Sequence, residues 1–186
     1  MNQPLTVLAP GLADPGHDAQ RLFRAVLDAF AHPGRIADLP DPPAGPGTIS
    51  PATAAYLLTL VDRDTPLWLA PAFDQPTVRD FIRFHAGAPI VAQRADAVFA
   101  VLAHDSASLD GFDIGTDPYP DRSATLVIEV PVLGAGTTRR WRGPGIDGET
   151  AVAVGGLSAD FWQAWADTMR SFLAASTSCS PPDRNF

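Results

Sequence analysis

Residues 52–61, ATAAYLLTLV, are apolar almost all round and follow directly on Ser50 and Pro51. A hydroxyl able to cap free backbone N–H groups, then a proline where the missing N–H costs nothing, marks a helix start. A helix apolar on nearly every side has to be covered on several of them. A chain of 186 residues is long enough to build one domain around such a helix.

The flanking pattern supplies the cover. A first helix is expected from about Asp18 to Ala31, with Leu22, Phe23, Val26, Leu27 and Phe30 in one stripe and Arg24 paired with Asp28 on another face. Pro33 and Gly34 end it, and RIADLP (35–40) then reads as a strand. The short strand PLWLA (66–70) follows the apolar helix. A third helix, about Thr77 to Ala86, sets Val78, Phe81, Ile82 and His85 on one face, with Arg79 and Arg83 beside them and Gly87 as C-terminal cap. Strands are expected at 96–103, 123–130, 137–141 and 150–154.

The last helix starts at Ser158, where Leu157 and Trp162 form a hydrophobic staple, and carries the aromatic face Phe161, Trp162, Trp165, Met169 and Phe172. The Pro/Gly-rich stretch 41–51 is short enough to be a surface loop rather than a linker. Helices early and late, with strands between, indicate an α/β fold: a layered α/β/α single domain over 1–186 with a mixed β-sheet.

Charge and residue usage exclude several functions. With 21 acidic and 13 basic side chains the net charge is −8, the wrong sign for a nucleic-acid-binding protein. All 13 basic residues are arginine, so neither a P-loop lysine nor a Schiff-base lysine for pyridoxal phosphate exists. No run approaches the roughly 20 apolar residues of a membrane-spanning helix, and the opening residues lack a secretory pattern. With one cysteine, Cys179, no internal disulfide forms, and a cytoplasmic location is expected. No metal-ligand spacing or serine nucleophile elbow is present, so neither metal nor cofactor is expected.

The remaining polar candidates each have a plain structural explanation beside a functional one. His85 lies on a buried stripe, where a histidine bonded to a backbone carbonyl is the commoner outcome. His32, in the turn HPGR, reads as a helix cap. Asp62 and Asp64 follow the end of a helix, where the dipole disfavours negative charge. Their compensation is expected from Arg63, Arg79, Arg83 or Arg35, as a structural ion pair or a binding site. The loop GTDPYPDRSAT (115–125) carries Asp117, Tyr119, Asp121 and Arg122, and an arginine there can grip an oxyanion or simply be solvated. RRWRGPGI (139–146) places Arg140 and Arg142 on one strand face and Trp141 on the other, before a turn that offers amides to an anion.

Six phrases in order carry a resemblance: FRAVLDAFAHPGR (23–35), LLTLVDRDTPLWL (57–69), RFHAGAPIV (83–91), GTDPYPDRSATLVIEV (115–130), RGPGI (142–146) and GLSADFWQAW (156–165). Together they resemble the PhnH family, the H subunit of the bacterial carbon–phosphorus lyase system, from about Phe23 to Trp165. The resemblance implies a cytoplasmic, dimeric α/β subunit that works with subunits G, I and J. It implies a fold similar to pyridoxal phosphate transferases without their cofactor. In that pathway G, H and I, with the ATP-binding subunit L, transfer a phosphonate to C1 of the ribose of ATP with release of adenine. Subunit J, a radical SAM iron–sulfur enzyme, later cleaves the C–P bond. The resemblance assigns no catalytic residue to this subunit.

Two other functions fit the residues alone. One is a free-standing enzyme using His85 with Asp62 or Asp64 as an acid–base pair. The other is a phosphonate- or nucleotide-binding module using Arg83, Arg122 and Arg142. The family resemblance stops near Phe172: family members end in a strand similar to FP-x-GVDL-x-L, whereas this chain reads FLAASTSCSPPDRNF. A permissible back-translation from Phe172, read in a shifted frame, gives PRGVDLVLTA, so a frameshift in the gene is expected there.

Overall fold

The computed structural model describes residues 8–116 and 118–177, the stretch 170–177 as backbone only. Helix α1 spans Pro15–Ala31. It starts at Pro15 rather than near Asp18 because Asp14 caps it: the Asp14 carboxylate accepts from His17 N–H at 3.2 Å, and Asp18 accepts from Asp14 N–H at 2.9 Å. His32 closes the other end, its Nδ1–H donating to the Asp28 carbonyl at 2.8 Å. Leu22 and Val26 are buried, but Phe23, Leu27 and Phe30 remain 46%, 56% and 60% exposed, so only two of the five residues of the expected stripe are covered. Asp28 does not pair with Arg24; it meets His32 and Arg35, each at 3.3 Å.

The segment 35–40 is not a strand. It has no ladder partner among the described residues, and Ile36, Ala37 and Leu39 instead line a groove. Helix α2 spans Pro51–Leu60 with Ser50 as its cap, Oγ accepting from Thr53 N–H at 3.2 Å. Thr53, Ala54, Ala55 and Leu57 are buried, as an all-round apolar helix requires. Strand β1 is Leu67–Leu69, helix α3 is Pro76–His85, and strand β2 is Phe99–Ala103. The stop of α3 is as expected: Gly87 turns left-handed at φ +71 and its N–H bonds the Ile82 carbonyl at 3.0 Å.

Strand β3, Thr125–Glu129, completes a parallel sheet in the order β1-β2-β3. Parallel strands are covered on both faces and read as continuous apolar runs, which explains LWL and FAVLA. Along β2, Val101 packs with Leu67, Leu69, Leu57, Val78, Phe81 and Ile82 on one face, while Ala100 and Leu102 join Ala97 and Phe112 on the other. Each fully buried Val, Leu, Ile or Phe side chain contributes roughly 1.5–3 kcal/mol. The long connection 104–124 is pinned by Arg94, whose guanidinium lies 4.7 Å from the Trp68 ring and 5.1 Å from Phe112.

The remaining strands do not join this sheet. β4, Leu133–Trp141, and β5, Thr150–Val154, form a separate antiparallel pair with an irregularity between Leu133 and Thr138. The expected single mixed sheet is therefore two sheets, one parallel and one antiparallel. A two-stranded ribbon is marginal alone and has to lean on the body. Helix α4, Ala159–Thr177, begins as expected at Ser158, whose Oγ accepts from Phe161 N–H at 3.1 Å. Leu157 and Trp162, the expected staple, line a common gap with Leu126 and Ile128 of β3. No helix among the described residues is long and apolar enough to cross a membrane. Cys179, Asp117 and the departing tail from Ser178 on lie outside the described residues.

Candidate functional site

The turn that links α2 to β1 holds Asp62 and Asp64. Asp62 Oδ1 accepts from the Thr65 hydroxyl at 2.7 Å and from Asp64 N–H at 2.9 Å. These two donors hold the Asp62 carboxyl below its ordinary value, the Thr65 hydroxyl most strongly. The turn's own donors thus supply most of the compensation, and of the expected arginines Arg63 adds a smaller part through its charge. Arg79 pairs with Asp74 and Arg35 with Asp28, while Arg63 only approaches Asp64, at 4.0 Å.

This turn lies near the C-terminus of α3, because a Cβ on Gly87 would stand 3.8 Å from Arg63 Cβ. Arg83 is exposed in the last turn of that helix and makes no ion pair among the described residues. His85 is half-buried between Phe81 and Phe84, with ring centroids 4.7 and 4.9 Å away. Its Nε2–H donates to the Ala9 carbonyl at 3.0 Å, and Gly11 passes so close that a Cβ there would meet the ring at 2.6 Å. No hydrogen bond among the described residues joins His85 to Asp62 or Asp64.

Tyr119 and Arg122 sit on the loop before β3, the guanidinium 4.3 Å from the phenol ring. Thr116 and Tyr119 exchange backbone hydrogen bonds at 2.9 and 3.2 Å, which closes the tip of that loop. Arg142 lies at the end of β4 and shares Glu149 with Arg140, which bonds it at 2.7 Å. The two arginines lie on one strand face, as their spacing requires, and Trp141 faces the body. No hydrogen bond or ion pair among the described residues connects the Tyr119–Arg122 pair, the Arg140–Glu149–Arg142 cluster and the α3 terminus. No three His, Cys, Asp or Glu side chains converge on a metal position among the described residues.

Sequence reasoning missed two features. The first is Glu129, at the carboxyl end of β3, whose Oε1 accepts from Ser50 N–H at 2.8 Å across 79 positions. Ligands of parallel α/β sheets gather at this edge, and a carboxylate ending the apolar run TLVIE was the available signal. The second is a groove of about 510 Å³ between α1, α2, β3 and the β4–β5 arm. Its walls include Phe30, Ile36, Tyr56, Val127, Leu133 and Trp141, and burial raises the Tyr56 phenol above its ordinary pKa. No periodicity in one segment announces a groove built from six.

Comparison with known proteins gives these features a context. Residues 10–173 match the family described as PhnH, bacterial phosphonate metabolism protein. A protein of Rhizobium meliloti (strain 1021), the alpha-D-ribose 1-methylphosphonate 5-triphosphate synthase subunit PhnH, is 40% identical over 162 residues, 86% of this chain and 81% of that one. A putative C-P lyase subunit protein, HtxG, of Stutzerimonas stutzeri is 31% identical over 145 residues, 77% of this chain and 68% of that one. The chain belongs to the PhnH family of bacterial phosphonate metabolism proteins.

Proposed function

We propose that this chain is a subunit of a cytoplasmic carbon–phosphorus lyase core complex, a homodimer or its equivalent within that complex, working with subunits G, I and J. Its step is the transfer of a phosphonate to C1 of the ribose of ATP with release of adenine, carried out together with G, I and L before subunit J cleaves the C–P bond. The 40% identity to a methylphosphonate ribose triphosphate synthase subunit supports the step.

The observation that carries the assembly is an uncovered apolar face. Phe23, Leu27 and Phe30 form one exposed stripe on α1, and Phe30, Ile36 and Leu133, all exposed, line the 510 Å³ groove. Such a contiguous patch marks an interaction surface. We put forward Arg83, Arg122 and Arg142 for contact with phosphonate or phosphate oxygens, with Asp62, Asp64 and His85 at the Arg83 end of α3 and Tyr119 beside Arg122. Arg83 and Arg122 favour this, since neither is used in an ion pair among the described residues. We also infer a layered α/β/α core similar to pyridoxal phosphate transferases without their cofactor. Helices α2 and α3 on one face of β1–β3 and α4 beyond Leu126 and Ile128 on the other favour it.

The test is co-expression of this chain with subunits G, I and J, followed by size-exclusion chromatography and mass spectrometry. A stoichiometric complex, and ribosyl phosphonate formed only when this chain is present together with G, I and L, are the expected results. Turnover by the isolated chain, abolished by His85→Ala in a folded protein, would replace this function with that of a free-standing enzyme.

A further inference from the structure

Arg139 of β4 faces the same way as Trp141, toward the body, and its guanidinium lies 4.4 Å from the ring of Trp162 on α4. Its Nε is fully buried with no hydrogen-bond partner among the described residues. The outer guanidinium nitrogens have no acceptor among the described residues either, and they reach solvent. Arg94 is the informative contrast: it stacks on Trp68 and Phe112 in the same manner, yet Nη1 donates to the Asp110 carbonyl at 3.0 Å. The buried Nε is out of reach of any outside acceptor, whereas the outer nitrogens are unpaired charge-assisted donors that a carboxylate from outside can reach. In a chain with 21 acidic residues, a structural counter-charge was readily available to this position.

The surroundings define what the acceptor comes attached to. Beside Trp162 lies an apolar gap of about 260 Å³, walled by Leu133, Trp141, Phe161 and Trp165 among others. Leu133 and Trp165 in its walls are exposed. A free inorganic anion would leave all of this apolar surface in water. A protein segment with a carboxylate next to an apolar side chain would satisfy both parts. Arginine and tryptophan are also the residue types that dominate interface energetics.

We propose that Arg139 and Trp162 form the centre of a docking surface for a partner-subunit segment in which an Asp or Glu stands next to an aliphatic or aromatic residue. The carboxylate lies along the free edge of the guanidinium, and the apolar side chain fills the gap beside Trp162. This rests on the assembly proposed above, and it places a contact on the β4–α4 side, which shares Leu133 and Trp141 with the groove beside α1.

The experiment uses the full chain titrated against a purified G–I–J subcomplex. Arg139→Met keeps the packing on Trp162 and removes the charge, and thermal melting establishes that it is folded. The expected result is a loss of affinity of roughly 30-fold or more in Arg139→Met, partly recovered in Arg139→Lys. Wild-type affinity in Arg139→Met overturns the docking surface while leaving the assembly standing. Absence of binding by the wild-type chain overturns both. A second arm melts the isolated chain with inorganic phosphate and with methylphosphonate. Stabilisation that Arg139→Met abolishes, with subunit binding unchanged, would make Arg139 a small-anion site and overturn the docking surface.

Discussion

The backbone N–H of Ser50 donates to the Glu129 carboxylate at 2.8 Å, tying the start of α2 to the carboxyl end of β3. The helix N-terminus leaves N–H groups without partners, and a carboxylate there is favoured both by the hydrogen bond and by the helix dipole. The contact joins the helix that the sequence marks most clearly to the strand that closes the parallel sheet. Glu129→Ala should lower the unfolding free energy by about 1–3 kcal/mol, and Glu129→Gln by less. Urea denaturation checks this, and an unchanged midpoint in Glu129→Ala would show that water replaces the carboxylate without loss.

Stability should fall in acid. The Arg79 guanidinium holds the Asp74 carboxyl below its ordinary 3.8. His17, through its ring and then its backbone N–H, lowers Asp14. The Asp14 N–H and then Arg21 lower Asp18. A carboxyl depressed in the folded state contributes stability that is fully present above its unfolded pKa and is lost as pH falls through the folded value. Melting temperature should therefore hold steady above about pH 5 and drop below about pH 4. High salt should shrink the change, most of all for Asp14 and Asp74, which are the more exposed.

His85 and Gly11 together hold the segment 8–11 against α3. A Cβ at Gly11 would stand 2.6 Å from His85 Nδ1, so Gly11→Ala must displace either the ring or the strap. The expected cost is about 1–3 kcal/mol, with faster amide exchange confined to the strap. Unchanged exchange there would mean that Leu8 and Ala9 are held by the apolar core alone, against which both pack.

Arg94→Ala removes the stack on Trp68 and Phe112 and the bond to the Asp110 carbonyl in one step. A loss of about 1–2 kcal/mol is expected, with increased proteolytic nicking between 104 and 124. Cleavage elsewhere, with that loop still protected, would show that Arg94 does not hold it.

The tail carries a genetic prediction. We propose a frameshift near Phe172, and resequencing the gene should find an inserted or deleted base there relative to the parent genome. A chain ending in PRGVDLVLTA after the corrected frame should melt higher than this one, because an apolar strand would return. An intact frame in the parent genome ends the idea.

The sequence by itself determined the local elements. Ser50-Pro51 and Ser158 set helix starts, Gly87 sets a stop, and LWL and FAVLA become strands, because capping and burial on both faces depend on neighbouring residues. It also carried the family, since the matching phrases are contiguous words. Segment 35–40 was misread because a strand needs a ladder partner, which no local pattern supplies. The division into two sheets, the partly covered stripe of α1 and the bond from Ser50 to Glu129 likewise depended on what lies across the fold. Arg139 shows the difference most plainly. In the sequence it is one of three arginines around a tryptophan, and only the tertiary structure leaves its Nε buried and unpaired while Arg140 and Arg142 share a carboxylate, because strand alternation turns it inward and them outward.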